Sequence, residues 1–244
     1  MVTASHNPAP DNGYKVYLGG TVAQGDGRGV QIVPPFDAEI AAAIEAAPPA
    51  DEVPMNDDLI EAVDPREEYV ACACALASGE ASAREDLRIV LTAMHGVGAA
   101  TTSRVLAEAG FTNVSLVAAQ AQPDPDFPTV PFPNPEEAGA LDMAIEQARE
   151  QGADLIIAVD PDADRCALAV PDPASETGWS PLSGDQIGSL LGEFLAERGM
   201  TGSLANSIVS SRLLSRIARA HGLEHHTTLT GFKWIARAPG LGFG

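Results

Sequence analysis

An α/β fold with mixed, largely parallel sheets is predicted by three features of the chain. Short apolar runs of strand length, such as Leu155-Ile156-Ile157-Ala158-Val159, alternate with stretches of helical length and pattern. Gly, Pro, Asn and Asp punctuate the joints between them. The most acidic loop, Asp160-Pro161-Asp162-Ala163-Asp164-Arg165, follows one apolar run directly, at the strand end where open α/β sheets tend to bind ligands.

Taken in order, residues 1–34 are Gly-rich with short β-like pieces near 15–18 and 31–33. A helix is expected over 37–47 and a Pro-rich linker over 48–54. Asp64 as N-cap and Pro65 at the first helical position start a second helix that runs towards Ser78-Gly79. From residue 87 the pattern is regular: a strand over 87–91, a helix over 99–109, a strand over 114–117 and a Pro-rich loop over 122–133. Asn134-Pro135-Glu136-Glu137 opens a helix that Gly152 closes. The strand over 155–159 delivers the acidic loop, and 166–170 reads as its return strand. A further unit begins at Ser183-Gly184-Asp185, with Asp185 as N-cap, and continues as helix 186–198, strand 207–209, helix 211–220 and strand 223–229. Residues 240–244 read as a loop. No internal repeat is visible, and both ends read as cuts through a larger protein.

With 244 residues the chain has room for one or two ordinary domains and a sizeable core. No apolar run is long enough to cross a membrane as a helix, and residues 1–15 lack a signal-peptide pattern. The three cysteines include no zinc-like second pair, so they read as reduced thiols of a cytoplasmic protein. A formal net charge of −20 argues against nucleic acid or an anionic membrane as partner. The basic residues comprise twelve arginines and two lysines, Lys15 and Lys233. Where Arg has displaced Lys so widely, the two survivors are candidates for positions that need a titratable ammonium.

Three carboxylates at alternate positions repel one another at close range, and a hard divalent cation removes that cost by taking oxygen ligands. Asp160, Asp162 and Asp164 therefore read as a magnesium site, and Arg165 as a fork of donors for phosphate. Near the start, Thr3-Ala4-Ser5-His6-Asn7-Pro8 sets a hydroxyl beside an imidazole, and Asp11-Asn12-Gly13-Tyr14-Lys15 follows. An isolated Ser-His pair is weak evidence of catalysis, being more often a polar turn. Joined to a distant acidic metal site, it completes a phosphoryl-transfer set: a hydroxyl to carry phosphate, an acid/base and a metal.

This combination resembles the α-D-phosphohexomutases, the phosphoglucomutase and phosphomannomutase family. The segment 3–8 is similar to that family's phosphoserine loop and 160–165 to its magnesium loop. Asn12-Gly13-Tyr14-Lys15, Met94-His95-Gly96-Val97-Gly98, the segment 127–136 and Thr230-Gly231-Phe232-Lys233 also resemble family pieces, closest to the branch with bacterial phosphomannomutase/phosphoglucomutase and phosphopentomutase-like enzymes. The resemblance implies that Ser5 carries the phosphoryl group and that Asp160, Asp162 and Asp164 hold Mg²⁺ together with a phosphoserine oxygen. It implies that Arg165 meets phosphate or substrate, that Lys15 with His6 handles the proton of the attacking sugar hydroxyl, and that Thr230, Gly231 and Lys233 face a hexose or pentose phosphate. His95-Gly96-Val97-Gly98 is expected to be a strand-to-helix turn and not a substrate contact.

The same resemblance divides the chain into 1–78 as the later part of a first domain, 79–180 as a whole second domain and 181–244 as an incomplete third, with a fourth domain absent. A poor or inactive mutase is expected from the 244 residues alone. Other readings are a non-catalytic remnant that binds Mg²⁺ or a partner and, more weakly, a haloacid-dehalogenase-type phosphatase with Asp160 as nucleophile. An EF-hand fails, since it needs Gly and Glu where Arg165 and Pro171 stand.

Overall fold

The computed structural model describes residues 1–23 and 25–244. In chain order the elements are α1 (Phe36–Ala46), α2 (Arg66–Cys74), α3 (Ala81–Asp86), β1 (Ile89–Thr92), α4 (Ala99–Glu108), β2 (Val114–Leu116), α5 (Asp142–Gln151), β3 (Leu155–Val159), β4 (Cys166–Pro171), β5 (Trp179–Leu182), α6 (Gly184–Glu197), β6 (Ser203–Ser207), α7 (Leu213–Ala220), β7 (His225–Thr228), α8 (Phe232–Ile235) and β8 (Leu241–Phe243). They divide into two compact units. One comprises Val2–Tyr14 and Asp64–Ile187, the other Met1, Lys15–Val63 and Gly188–Gly244.

The first unit is built on a five-stranded sheet in the order β2-β1-β3-β4-β5. β1 runs parallel to both β2 and β3, whereas β4 and β5 return antiparallel. The crossovers β1-α4-β2 and β2-α5-β3 step in opposite directions along the sheet, so right-handed connections place their helices on opposite faces. Two apolar clusters record this. Val90, Ile156 and Ala158 pack with Ala144, Ile145 and Ala148 of α5, while Val159 packs with Ala93, Ala99 and Leu116 on the α4 side. Covered on both sides, Ile89–Leu91 of β1 and all of β3 can be apolar without a break, which is why they read as continuous runs. Their C-terminal ends carry the two loops that matter below, 93–98 and 160–165.

The second unit carries a parallel three-stranded sheet, β7-β6-β8. Leu204 of β6 packs with Leu214, Ile217 and Ala218 of α7 and with Ala196 of α6. Gly192 of α6 allows Leu214 to approach so closely that an added Cβ would lie 2.4 Å from its Cδ1. Among the described residues no helix is long and apolar enough to cross a membrane.

Several expectations are corrected. The helix placed at residue 134 begins at Asp142. Asn134 uses its side chain to accept Glu136 N–H at 3.2 Å, its carbonyl accepts Glu137 N–H, and Gly139 turns the chain at φ +84°. A residue that hydrogen-bonds its own following backbone favours a turn as readily as a helix start. α6 is capped by Ser183 and not Asp185: Gln186 N–H donates to Ser183 Oγ at 3.2 Å and Ser183 N–H to Gln186 Oε1 at 2.8 Å, a capping box.

The strand expected at 207–209 is Ser203–Ser207. The apolar Ile208 and Val209 are exposed beyond its end. Residues 240–244 are not merely a loop, since Leu241–Phe243 pairs with β6. The β-like pieces near 15–18 and 31–33 form only an isolated bridge, Tyr17 with Gln31. β5 is not among the strands expected above; it contains Pro181 and lies at the sheet edge, where proline is tolerated.

Gly152 closes α5 as expected, in the left-handed conformation at φ +60°, with Ala153 N–H bonded to Ala148 C=O at 2.9 Å. Gly152→Ala is expected to lower unfolding stability by about 1 kcal/mol, read as a denaturation midpoint shift without a change in slope.

Candidate functional site

The site grows from two chain reversals of the first unit. Residues 2–14 form a looped hairpin, held by an antiparallel bridge between Val2 and Tyr14 and by Thr3 N–H to Gly13 C=O at 2.9 Å. A Cβ on Gly13 would lie 2.7 Å from the Thr3 carbonyl oxygen, so only glycine fits there. At the tip, Ser5 adopts φ +55°. A side chain in the left-handed region costs about 1–2 kcal/mol, and an outlier of this kind points to function.

The second reversal is the acidic loop. β3 ends at Val159, and the chain turns with Ala163 N–H on Asp160 C=O at 2.9 Å and Ala163 at φ +57°. Arg165 N–H donates to Asp160 Oδ1 at 3.1 Å before β4 begins. Asp160 is fully buried, Asp162 half-buried, and Asp164 and Arg165 are exposed. One carboxylate oxygen from each of Asp160, Asp162 and Asp164 lies within 4.8 Å of the others. Burial above all pushes the Asp160 carboxyl up to about 6. The Arg165 backbone N–H pulls it down, and the charges of Asp162 and Asp164 push it up further.

The two reversals meet. Ser5 Oγ lies 3.1 Å from His6 Nδ1 and donates a long hydrogen bond, 3.4 Å, to Asp160 Oδ2. Thr3 Oγ1 donates to Asp162 Oδ2 at 2.9 Å and accepts Ser5 N–H at 2.8 Å. His6 stands edge-on to Phe132, with ring centroids 6.1 Å apart. Residues 155 positions apart are thus joined side chain to side chain.

Of the sequence-derived candidates, Ser5, His6, Asp160, Asp162, Asp164 and Arg165 belong to this unit. Lys15, Thr230, Gly231 and Lys233 belong to the other. There Gly231, at φ +121°, precedes α8, and the Lys233 ammonium lies 5.9 Å from the Trp234 ring centroid. Thr3 and Phe132 escaped the sequence reading as site residues. Thr3 carried one signal, a second hydroxyl two residues from the serine in the same loop. Phe132 lies in the segment 127–136 that resembles a family piece, but nothing in the sequence sets it beside His6.

Because Thr3 ties the serine backbone to the acidic loop, Thr3→Val is expected to slow phosphoryl uptake at Ser5 roughly ten- to a hundredfold. Single-turnover uptake measured by intact mass would test it, with little change expected in thermal midpoint.

An all-oxygen donor set, clustered, partly buried and mutually repelling, suits a hard divalent cation. The fold and the site together define an α/β protein with a cluster of three carboxylates facing a serine hydroxyl. Three models of one family match in succession: domain I of phosphoglucomutase/phosphomannomutase over residues 1–50, domain II over 67–174 and domain III over 183–239, each described as alpha/beta/alpha. The chain belongs to the phosphoglucomutase/phosphomannomutase family, the α-D-phosphohexomutases.

A probable phosphomannomutase of Haemophilus influenzae is 48% identical over 252 residues, covering 100% of this chain and 49% of the relative. A phosphoribomutase of Saccharomyces cerevisiae is 37% identical over 96% of this chain and 41% of its own length. A human phosphopentomutase is 34% identical over 96% and 40%. The chain thus spans about half the length or less of these relatives. The crystal structure of a putative phosphomannomutase from Thermus thermophilus shares the fold, with a TM-score of 0.70 at 24% identity over 96% of this chain and 48% of that one.

Proposed function

We propose that the whole protein is a Mg²⁺-dependent phosphosugar mutase that moves phosphate between C1 and C6 of a hexose phosphate, or C1 and C5 of a pentose phosphate. Ser5 is its phosphoryl carrier. Asp160, Asp162 and Asp164 hold the magnesium, which when bound neutralises charge that accumulates as phosphate approaches three carboxylates.

In the forward step a hydroxyl oxygen of the sugar phosphate forms a bond to the phosphorus on Ser5, and the Oγ–P bond breaks. This gives a bisphosphorylated sugar. The hydroxyl's proton passes to Lys15, with His6 assisting. As the Oγ–P bond breaks, Ser5 Oγ takes a proton from His6, whose Nδ1 lies 3.1 Å away. After the sugar turns round it returns that proton to His6 as it takes the other phosphoryl group, and Lys15 returns its proton to the sugar oxygen that leaves. Arg165 meets a phosphate by its planar donors, and Thr230, Gly231 and Lys233 receive the sugar phosphate.

The observation that carries this reading is the direct approach of a strained serine to a buried carboxylate of the acidic triad. Relatives named as phosphomannomutase, phosphoribomutase and phosphopentomutase support it. Incubation with a hexose 1,6-bisphosphate and MgCl₂, followed by intact mass and peptide mapping, is expected to find one phosphoryl group on Ser5. An aspartyl phosphate on Asp160 would overturn the reading in favour of a phosphatase. We also infer that the 244 residues alone turn over poorly; family-typical turnover by the purified chain would refute that part.

A further inference from the structure

The turn over residues 93–98 holds no candidate reacting group, yet it is built with unusual care. Met94 and His95 both have positive φ, +49° and +64°, each a conformation that L side chains avoid. Met94 N–H is held by Thr92 Oγ1 at 3.1 Å, and His95 N–H by the Gln120 carbonyl at 3.0 Å. The side chains form a chain of their own. Thr92 Oγ1 donates to Gln120 Oε1 at 2.6 Å, Gln120 Nε2 donates to Thr129 Oγ1 at 2.8 Å, and Thr129 Oγ1 lies 2.8 Å from His95 Nε2. Thr92, His95 and Gln120 are buried and Thr129 is exposed, so the Thr92–Gln120 link is closed to water, while Thr129 ties Gln120 to His95 from the surface side.

The product of this network is a close approach to the acidic loop. A Cβ on Gly96 would lie 2.4 Å from Pro161 Cα and 2.5 Å from its carbonyl oxygen, both backbone atoms that cannot swing aside. Val97 N–H donates to that same oxygen at 2.9 Å. A Cβ on Gly98 would lie 2.9 Å from Ala163 Cβ and from Val159 Cγ2. Pro161 stands between Asp160 and Asp162, and Ala163 between Asp162 and Asp164. The turn therefore bears on the acidic loop at the two points that separate its three carboxylates.

We propose that this turn is the positioning element of the acidic loop, in which Gly96 and the Thr92–Gln120–Thr129–His95 chain set its affinity for a divalent cation. The inference rests on the cation-binding reading of Asp160, Asp162 and Asp164. Displacing Pro161 by a few tenths of an ångström moves two donors at once, and a cation that demands strict geometry is sensitive to that. None of these four side chains belongs to the carboxylate cluster of Asp160, Asp162 and Asp164.

The test is calorimetric titration of the 244-residue chain with MnCl₂, beside thermal melts in EDTA. The unmodified chain is expected to bind, and Gly96→Ala to bind at least tenfold more weakly while remaining folded. Thr129→Val is expected to weaken binding about three- to tenfold, and Thr129→Ser, which keeps the hydroxyl, to restore it to within about twofold. A purely structural role would lower the melts and leave the affinity of the folded chain unmoved. Binding by the unmodified chain with Gly96→Ala and Thr129→Val both within twofold of it would overturn the inference alone. No Mn²⁺ binding by the unmodified chain would overturn the cation reading and this inference with it. If Gly96→Ala fails to fold, the two Thr129 variants decide: equal affinities for valine and serine would sink the proposal.

Discussion

Replacing Ser5 with alanine is expected to abolish phosphoryl uptake from a hexose 1,6-bisphosphate and to cut mutase turnover of the whole protein by about ten-thousand-fold or more. The nearby Thr3 hydroxyl is committed to Asp162 and to Ser5 N–H, and a nucleophile acting with its base fails as a unit when removed. The variant also separates function from strain. Ser5 sits at φ +55°, a conformation alanine dislikes as much as serine does, so Ser5→Ala keeps the backbone cost and its stability stays near that of the parent. Ser5→Gly removes the cost and is expected to stabilise the chain by about 1 kcal/mol, though flexibility gained by the unfolded glycine offsets part of this. A protein inactive as alanine yet more stable as glycine would mark the loop as strained for function. Normal glucose-1-phosphate to glucose-6-phosphate interconversion by the alanine variant would remove Ser5 from the mechanism.

What the sequence made legible was whatever depends on neighbours in the chain. β3 was bounded at both ends because five apolar residues lie between Asp154 and Asp160. Gly152 was readable because a left-handed helix end has one common solution. The acidic loop was readable because three carboxylates crowd six residues. The failures share the opposite cause. Ile208 and Val209 look like strand residues but lie past the end of β6, whose register is set by pairing with β7 and β8. Asn134 is as good a turn former as a helix cap, and Gly139, five residues on, decided the matter.

At the site, the residue types were legible and their wiring was not. Thr3 became a link between loops, and Gly96 a point of contact, only when residues far apart in sequence were brought together. Lys15, Thr230, Gly231 and Lys233 lie in a unit separate from the one that unites Ser5 with the acidic triad.

Asp160→Asn is expected to do three things at once: end phosphoryl uptake, abolish stabilisation by Mg²⁺ and make the metal-free chain more stable at neutral pH. The sign follows from the position of the group. Asp160 is fully buried, and its carboxyl is pushed up to about 6 from an ordinary value of 3.8. Between those values the metal-free folded chain keeps a proton that the unfolded chain releases. This group's contribution to stability is therefore intact below pH 3.8 and is lost as pH rises through about 6. Above that, an ionised carboxylate beside Asp162 and Asp164 costs on the order of 3 kcal/mol.

A cation reverses the slope, because it binds the ionised form and stabilises the folded state in proportion to its binding. Millimolar MgCl₂ is expected to raise the thermal midpoint at about pH 7.5 and to do little at about pH 5, where the proton competes. Asparagine is neutral at both, so the variant should melt higher than the parent in EDTA at about pH 7.5, by about 1–3 kcal/mol of stability. A chain of net charge −20 gains stability from any salt through screening. The decisive comparison is therefore MgCl₂ against NaCl at equal ionic strength, in parent and variant together. If both chains gain equally from Mg²⁺ over Na⁺, the cation binds elsewhere and the acidic loop loses its proposed role.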